Sequence, residues 1–187
     1  MVQVGDSMVE TIDISTYTHL IGDSITNQSN WEFRSRYHPS SSVDCKNGRA
    51  ISMLPSRVKY ALDNGNPNTL VLGLASNDDP AFTRQQYVDT FDSIPDSILV
   101  VMITPFRTKE AFPEQQDRMA EIAQWQKDLY NNRSNARISS WRWTMLNEAG
   151  AVAKYISDDG VHPTPEGRIK WAALLDRAID DCHGAFV

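Results

Sequence analysis

Four short stretches of this 187-residue chain hold side chains that work together in acyl chemistry. Gly22-Asp23-Ser24 follows an apolar run, Gly48 and Asn77 follow two others, and Asp159 stands three residues before His162. A serine hydroxyl is a poor nucleophile until a neighbouring base takes its proton. Histidine suits that task near neutral pH, so Ser24 is the candidate nucleophile and His162 its candidate base. One turn of chain can bring the Asp159 carboxylate to the far nitrogen of the imidazole, fixing its tautomer and stabilising the imidazolium formed during attack. The tetrahedral intermediate needs donors aimed at its oxyanion. The backbone amides of Ser24 and Gly48 and the side-chain amide of Asn77 are the candidates. Gly48 suits the role because a residue without Cβ lets a ligand approach its N–H.

Each stretch also has a plainer reading. Ser24 could cap a following helix, Gly48 could begin one, and Asn77 could bond its own backbone in a turn. A second Gly-Asp-Ser, Gly5-Asp6-Ser7, lies too near the terminus for a full central strand to precede it. Asp158 competes with Asp159. Asp23 reads as ordering its turn and Asp78 as capping a loop. His19, His38 and His183 read as structural, His19 and His38 having no carboxylate at the Asp-x-x-His spacing, and so do the aromatics Trp31, Phe33, Trp141 and Trp143.

Positioning such groups is the task of the surrounding elements. Strand-like apolar runs at Thr18–Ile21, Ser42–Cys45, Thr69–Leu74, Ser97–Thr104 and Ala136–Trp141 alternate with helical periods. The helical segments are Ala50–Asn64, Thr83–Ile94 with a Thr83/Gln86 capping box, Pro113–Asn131, Thr144–Tyr155, and a last helix from Thr164-Pro165. That last helix sets Ala172, Leu175, Ile179 and Cys182 on its inner face. Continuous apolar strands separated by helices imply a parallel sheet covered on both faces. The expectation is an α/β, three-layer α/β/α sandwich on a five-stranded parallel sheet, flavodoxin-like. It forms one domain over 1–187, with 1–15 read as an N-terminal extension, either an added edge strand or a loose arm. In such sheets reactive groups gather at the carboxyl ends of the strands, where Ser24, Gly48 and Asn77 fall.

The ordered set resembles the sequence blocks of the SGNH (GDSL-like) hydrolases. The strings are HLIGDSIT around Ser24, DCKNGRAIS around Gly48, VLGLASNDD around Asn77, and DDGVHPTPEGRIKWAALL from Asp158. The last string and DCKNGRA look most like the SGNH domains of envelope O-acyltransferases. The likeness runs from Thr18 to Ile179. One departure is Ala75-Ser76-Asn77-Asp78 where the family usually has Gly-x-Asn-Asp; the extra methyl would narrow the site. The resemblance implies ester hydrolysis or acyl transfer without metal or cofactor, on short acyl groups, acetyl above all, carried by carbohydrate.

Composition excludes other classes. The net charge is −6, with Lys and Arg scattered rather than clustered, which argues against nucleic acid as a partner. No apolar run has membrane-spanning length, and Met1–Glu10 has neither the basic nor the apolar region of a secretory leader. Cys45 and Cys182 fit no metal spacing and read as reduced thiols, pairing only if the fold brings them together. Three alternatives to an esterase stand. An O-acyltransferase would use the same triad; a free-standing chain favours hydrolysis over it. A silent carbohydrate-binding or surface module would keep the fold alone. A flavodoxin-like nucleotide binder ranks last, because GDSIT is too poor in glycine to cradle phosphate.

Overall fold

A computed structural model describes residues 17–181. Five strands form one all-parallel sheet: β1 (Thr18–Gly22), β2 (Ser42–Cys45), β3 (Thr69–Gly73), β4 (Leu99–Ile103) and β5 (Ala136–Ser139), in the order β2-β1-β3-β4-β5. The chain leaves β1 for one side of the sheet and then returns to build the other. The switch point, where a crevice opens at the strands' carboxyl ends, therefore lies between β1 and β3. Gly22 is in register with both Cys45 and Gly73, so the loops after β1, β2 and β3 start level with one another.

Alternate strand residues point to opposite faces, and the core divides accordingly. Ile21, Leu70, Leu72, Val100 and Met102 pack beneath α2 (Leu54–Asn64), α3 (Arg84–Asp92) and α4 (Gln116–Asn132), through Leu54, Val58, Tyr87, Phe91, Ile122 and Trp125. Leu20, Val71, Val101 and Ile103 pack with α1 (Ser24–Arg36), α5 (Trp141–Asn147), α6 (Ala151–Tyr155) and α7 (Pro165–Asp180), through Ile25, Phe33, Trp141, Tyr155, Trp171 and Leu175. These are the three layers expected from the sequence.

Several boundaries differ from expectation for local reasons. Short 3₁₀ turns, Ile51–Met53 and Pro113–Gln115, precede α2 and α4, and Pro55 sits in the first turn of α2 where its missing N–H costs nothing. The Thr83/Gln86 capping box forms as read, with α3 beginning at Arg84. Trp141 is not the end of β5: the strand stops at Ser139 and Trp141 opens α5, buried under it, while Trp143 is partly exposed. The helical stretch to Tyr155 is two helices, because Gly150 at φ 76° breaks the path between α5 and α6. Thr164 caps α7 with Pro165 in its first turn, as expected. Ala172, Leu175 and Ala178 are buried beneath it, and Ile179 is partly buried against the same cluster. The expectations for 1–15, Ser7, Cys182 and His183 fall outside the described residues.

The nucleophile helix meets the sheet at two glycines. A Cβ on Gly22 would lie 2.3 Å from Thr26 Cβ, and one on Gly73 would lie 2.4 Å from Thr26 Oγ1. Thr26 thus drops into a notch between adjacent strands and sets the height of the first turn of α1. A Gly73→Ala variant should lose stability by about 1–3 kcal/mol, the usual cost of overpacking, as measured by urea denaturation. An unchanged midpoint would contradict this packing account.

Candidate active site

β1 delivers Ser24 to the first position of α1. Asp23 is the helix cap: its Oδ1 accepts the Ile25 N–H at 2.9 Å, so Ser24 itself is left with a free side chain. The Ser24 amide is among the first helical N–H groups, which have no acceptor four residues back and lie at the positive end of the helix dipole. Ser24 Oγ lies 2.9 Å from His162 Nε2, across 138 residues of sequence.

His162 stands on the loop between α6 and α7, and that loop is heavily tied. Its Nδ1 lies 2.6 Å from Asp159 Oδ2. Asp159 Oδ1 accepts the Val161 and His162 amides and the Ser157 hydroxyl, each at 2.9 Å. Burial alone would raise the Asp159 pKa, but the bonds from the His162 ring, the two amides and Ser157 outweigh it and hold the carboxyl well below its usual range. Asp159 is therefore ionised opposite the imidazole. Gly160 adopts φ 73°, and a Cβ there would lie 2.4 Å from Thr108 Oγ1, so the loop lies close against the segment that follows β4. Thr108 N–H also donates to Gly160 O at 2.8 Å.

Gly48 and Asn77 come from the ends of β2 and β3. Gly48 has φ 71° and open space where a Cβ would be, the left-handed conformation that glycine adopts without penalty. Its loop is held by Lys46 N–H on Gly22 O at 3.1 Å and by Asn27 Nδ2 on Asn47 Oδ1 at 3.0 Å. Arg49 and Arg57 grip Asp44 just before it, both at 2.7 Å. The Asn77 side chain turns towards the same loop, with Nδ2 3.4 Å from Arg49 O, while Asn77 O accepts the Ile51 N–H at 2.9 Å. At 3.4 Å the Nδ2 bond is long and weak, so an incoming oxyanion can compete for that donor.

The sequence-read residues therefore gather at one edge: Ser24, His162 and Asp159 in direct contact, with Gly48 and Asn77 on the loops beside them. Ala75 does not sit in the cleft as its expected narrowing effect required. It is buried in the core with Ile51 and Leu54, where its methyl is ordinary packing. Asp78 is not a loop cap but an ion-pair partner of Arg118, at 3.2 Å. His38 is structural, as read, stacked on Phe33 and bonded to Asp176; His19 lies in β1 and bonds to Ser42. Burial pushes the Cys45 thiol up to about 12, so it offers no competing thiolate. Among the described residues no three His, Cys, Asp or Glu side chains cluster in a way that could hold a metal ion, and no helix is long and apolar enough to cross a membrane.

Two residues at this edge escaped the sequence reading. Ser157 steadies Asp159. Arg107, four residues past β4, donates from Nη2 to Asn77 Oδ1 at 2.8 Å. An arginine just beyond the carboxyl end of a fourth apolar strand was the available signal.

Asp23 is fully buried, and burial raises its pKa to about 6, against the lowering pull of the Ile25, Thr26 and Ser76 amides and Arg107. The folded state then binds more protons than the unfolded chain between the ordinary carboxylate range and pH 6, so this group costs stability as pH rises through that window. Asp23→Asn keeps an oxygen for the Ile25 amide but cannot ionise. Its stability relative to wild type should climb by about 2 kcal/mol between pH 4 and pH 7, at 1.36 kcal/mol per unit, read by urea unfolding across that range. A pH-independent difference would contradict the assignment.

No protein-family model matches the sequence, and no curated protein matches it. Solved structures do. The C-terminal catalytic domain of Streptococcus pneumoniae peptidoglycan O-acetyltransferase A, carrying a methylsulfonyl adduct, superposes with a TM-score of 0.72 at 17% identity, over 89% of this chain and 93% of that one. A GDSL-like lipase from Bacteroides thetaiotaomicron gives 0.70 at 16% identity, over 87% of each chain. A protein described as an SGNH hydrolase from Slackia heliotrinireducens gives 0.64 at 20% identity, over 87% of this chain and 98% of that one. At such identities the likeness is one of fold.

Proposed function

We propose that this chain, which has the fold of the SGNH/GDSL hydrolases, is a serine esterase that cleaves short acyl esters, acetyl above all, from carbohydrate. The observation that carries this reading is the continuous line Asp159 Oδ2–His162 Nδ1, His162 Nε2–Ser24 Oγ, at 2.6 and 2.9 Å. In the proposed cycle Ser24 Oγ attacks the acyl carbon while its proton passes to His162 Nε2. The carbonyl electron pair moves onto oxygen, facing the Ser24, Gly48 and Asn77 donors. Collapse of the intermediate breaks the bond to the alcohol, which leaves with the proton from His162. Water then attacks the acyl-serine, giving its proton to His162; collapse breaks the acyl carbon–Oγ bond, His162 returns the proton to Ser24 Oγ, and the acid is released.

Two features support the substrate class. A cleft of about 670 Å³ opens beside Asn77, where Asp78, Arg107, Glu114, Gln115 and Arg118 offer hydrogen-bonding groups to a hydroxyl-rich alcohol. The His162 side chain is 32% exposed, so water can reach the acyl-enzyme. Transfer to a sugar hydroxyl in place of water is the second reading, favoured by the likeness to an O-acetyltransferase domain. Product analysis with and without a glycan acceptor separates the two. The reading itself is tested by a fluorophosphonate probe with mass-spectrometric mapping. Label on the peptide carrying Ser24 is expected; label on Ser7, or none on the folded protein, would overturn it.

A further inference from the structure

Asn77 can serve an oxyanion only if its amide presents nitrogen, not oxygen, to the cleft. Nothing in a free asparagine side chain decides this, since a half-turn about its last bond exchanges the two. In this chain something does. Arg107 Nη2 is a donor only, and it lies 2.8 Å from Asn77 Oδ1. A flipped amide would set –NH₂ against guanidinium N–H, donor against donor. The Arg107 contact therefore turns Nδ2 away from itself, towards the Gly48–Arg49 loop.

The arginine is in turn fixed from several sides. Its guanidinium lies over the Phe112 ring, 4.5 Å from the centroid. Its backbone carbonyl accepts from Gln116 Nε2 at 3.3 Å, and the next residue, Thr108, donates to Gly160 in the loop carrying His162. Asp23, Glu114 and Asp159 are the carboxylates that act on its charge. The side chain is half-buried, so its field on the amide is less screened than at the surface.

We infer that Arg107 is a positioning residue for the oxyanion site: it locks the sense of the Asn77 amide and polarises it, so that Nδ2–H is a stronger donor when negative charge develops on the substrate oxygen. Bonds in series strengthen one another in this way. The inference rests on the esterase reading. It adds a fourth strand end to the site, since β1, β2 and β3 supply the donors and the segment after β4 aims one of them.

The test is a double-mutant cycle on ester turnover. Arg107→Met keeps much of the bulk against Phe112 and removes the donor. It should lower kcat about 10–10²-fold with little change in KM, because an oxyanion donor matters only as charge appears. Arg107→Lys, with a charge but no planar fork, should recover part of the loss. Asn77→Ala should cost about 10²–10³-fold, and adding Arg107→Met to it should cost almost nothing more. Equal losses in the two backgrounds, or a loss confined to KM, would overturn the inference. A second readout does not depend on turnover. The Asn77 side-chain ¹H–¹⁵N signals should shift and broaden in Arg107→Met while the backbone spectrum away from the site is unchanged; an unmoved Asn77 amide would also overturn it. Wild-type protein with neither Ser24 labelling nor turnover would instead sink the esterase reading, leaving the amide signals to decide the Arg107–Asn77 contact.

Discussion

Ser24→Ala should remove ester hydrolysis by at least about 10⁴-fold, as loss of a serine nucleophile does elsewhere, while leaving the protein folded. The second half of that expectation makes the first informative. Ser24 opens α1, but Asp23, not Ser24, caps the helix. The Ser24 hydroxyl bonds to His162 Nε2, and alanine is a good helix former. The variant should therefore melt within a few degrees of wild type, and its activity loss can be assigned to the chemistry. Turnover of p-nitrophenyl acetate by the purified pair is the measurement. A variant as active as wild type would mean that another group does the work.

Asp159→Asn should follow with a fall in kcat of about 10³–10⁴-fold. The loop should survive, because an asparagine oxygen can still accept from Val161, His162 and Ser157, the three groups that Asp159 Oδ1 holds. What changes is the group facing His162 Nδ1. A carboxylate there demands an N–H on Nδ1 and so leaves Nε2 bare to receive the serine proton. An amide –NH₂ in its place prefers a bare Nδ1, moves the ring proton to Nε2, and turns the base into a donor. Because hydrogen bonds keep the Asp159 carboxyl well below its usual range, its ionisation persists into strong acid. The acid limb of a pH–rate profile should accordingly not move with this carboxylate. Asp158→Asn, on the same loop, should leave kcat within about threefold of wild type. Equal losses in both variants would show that the loop was merely disturbed.

What could be read from the chain alone follows from what the physics makes local. The five strands were legible because a sheet covered on both faces needs uninterrupted apolar runs, as in TLVLG and LVVMI. Thr83 with Gln86 and Thr164 with Pro165 announced helix starts by caps that need only three or four neighbours. The Asp159–His162 pair was legible for the same reason, lying within one turn of chain. Contacts made in space were not. Nothing near Arg107 announces that it reaches Asn77, thirty residues back. The burial of Ala75 depends on α2 and its 3₁₀ turn arriving from elsewhere. Trp141 shows the opposite failure: its bulk suits a strand end or a buried helix start equally, and the backbone bond from the Thr144 amide to Ser140 O shows that it starts a helix.

The pairing of α1 with α7 carries a consequence for how this molecule would fail. Ser24 begins one helix and His162 immediately precedes the other, and the two helices lie side by side. They are pinned by Arg168 to Gln28 and, at the far end, by His38 to Asp176. Loosening of the partly exposed loop that joins α6 to α7, with His162 and Asp159 32% and 50% exposed, would part base from nucleophile while both helices and the five strands stayed packed. Catalysis should thus behave as a tripwire in mild denaturant, vanishing while the circular dichroism of the interior still reports a native protein.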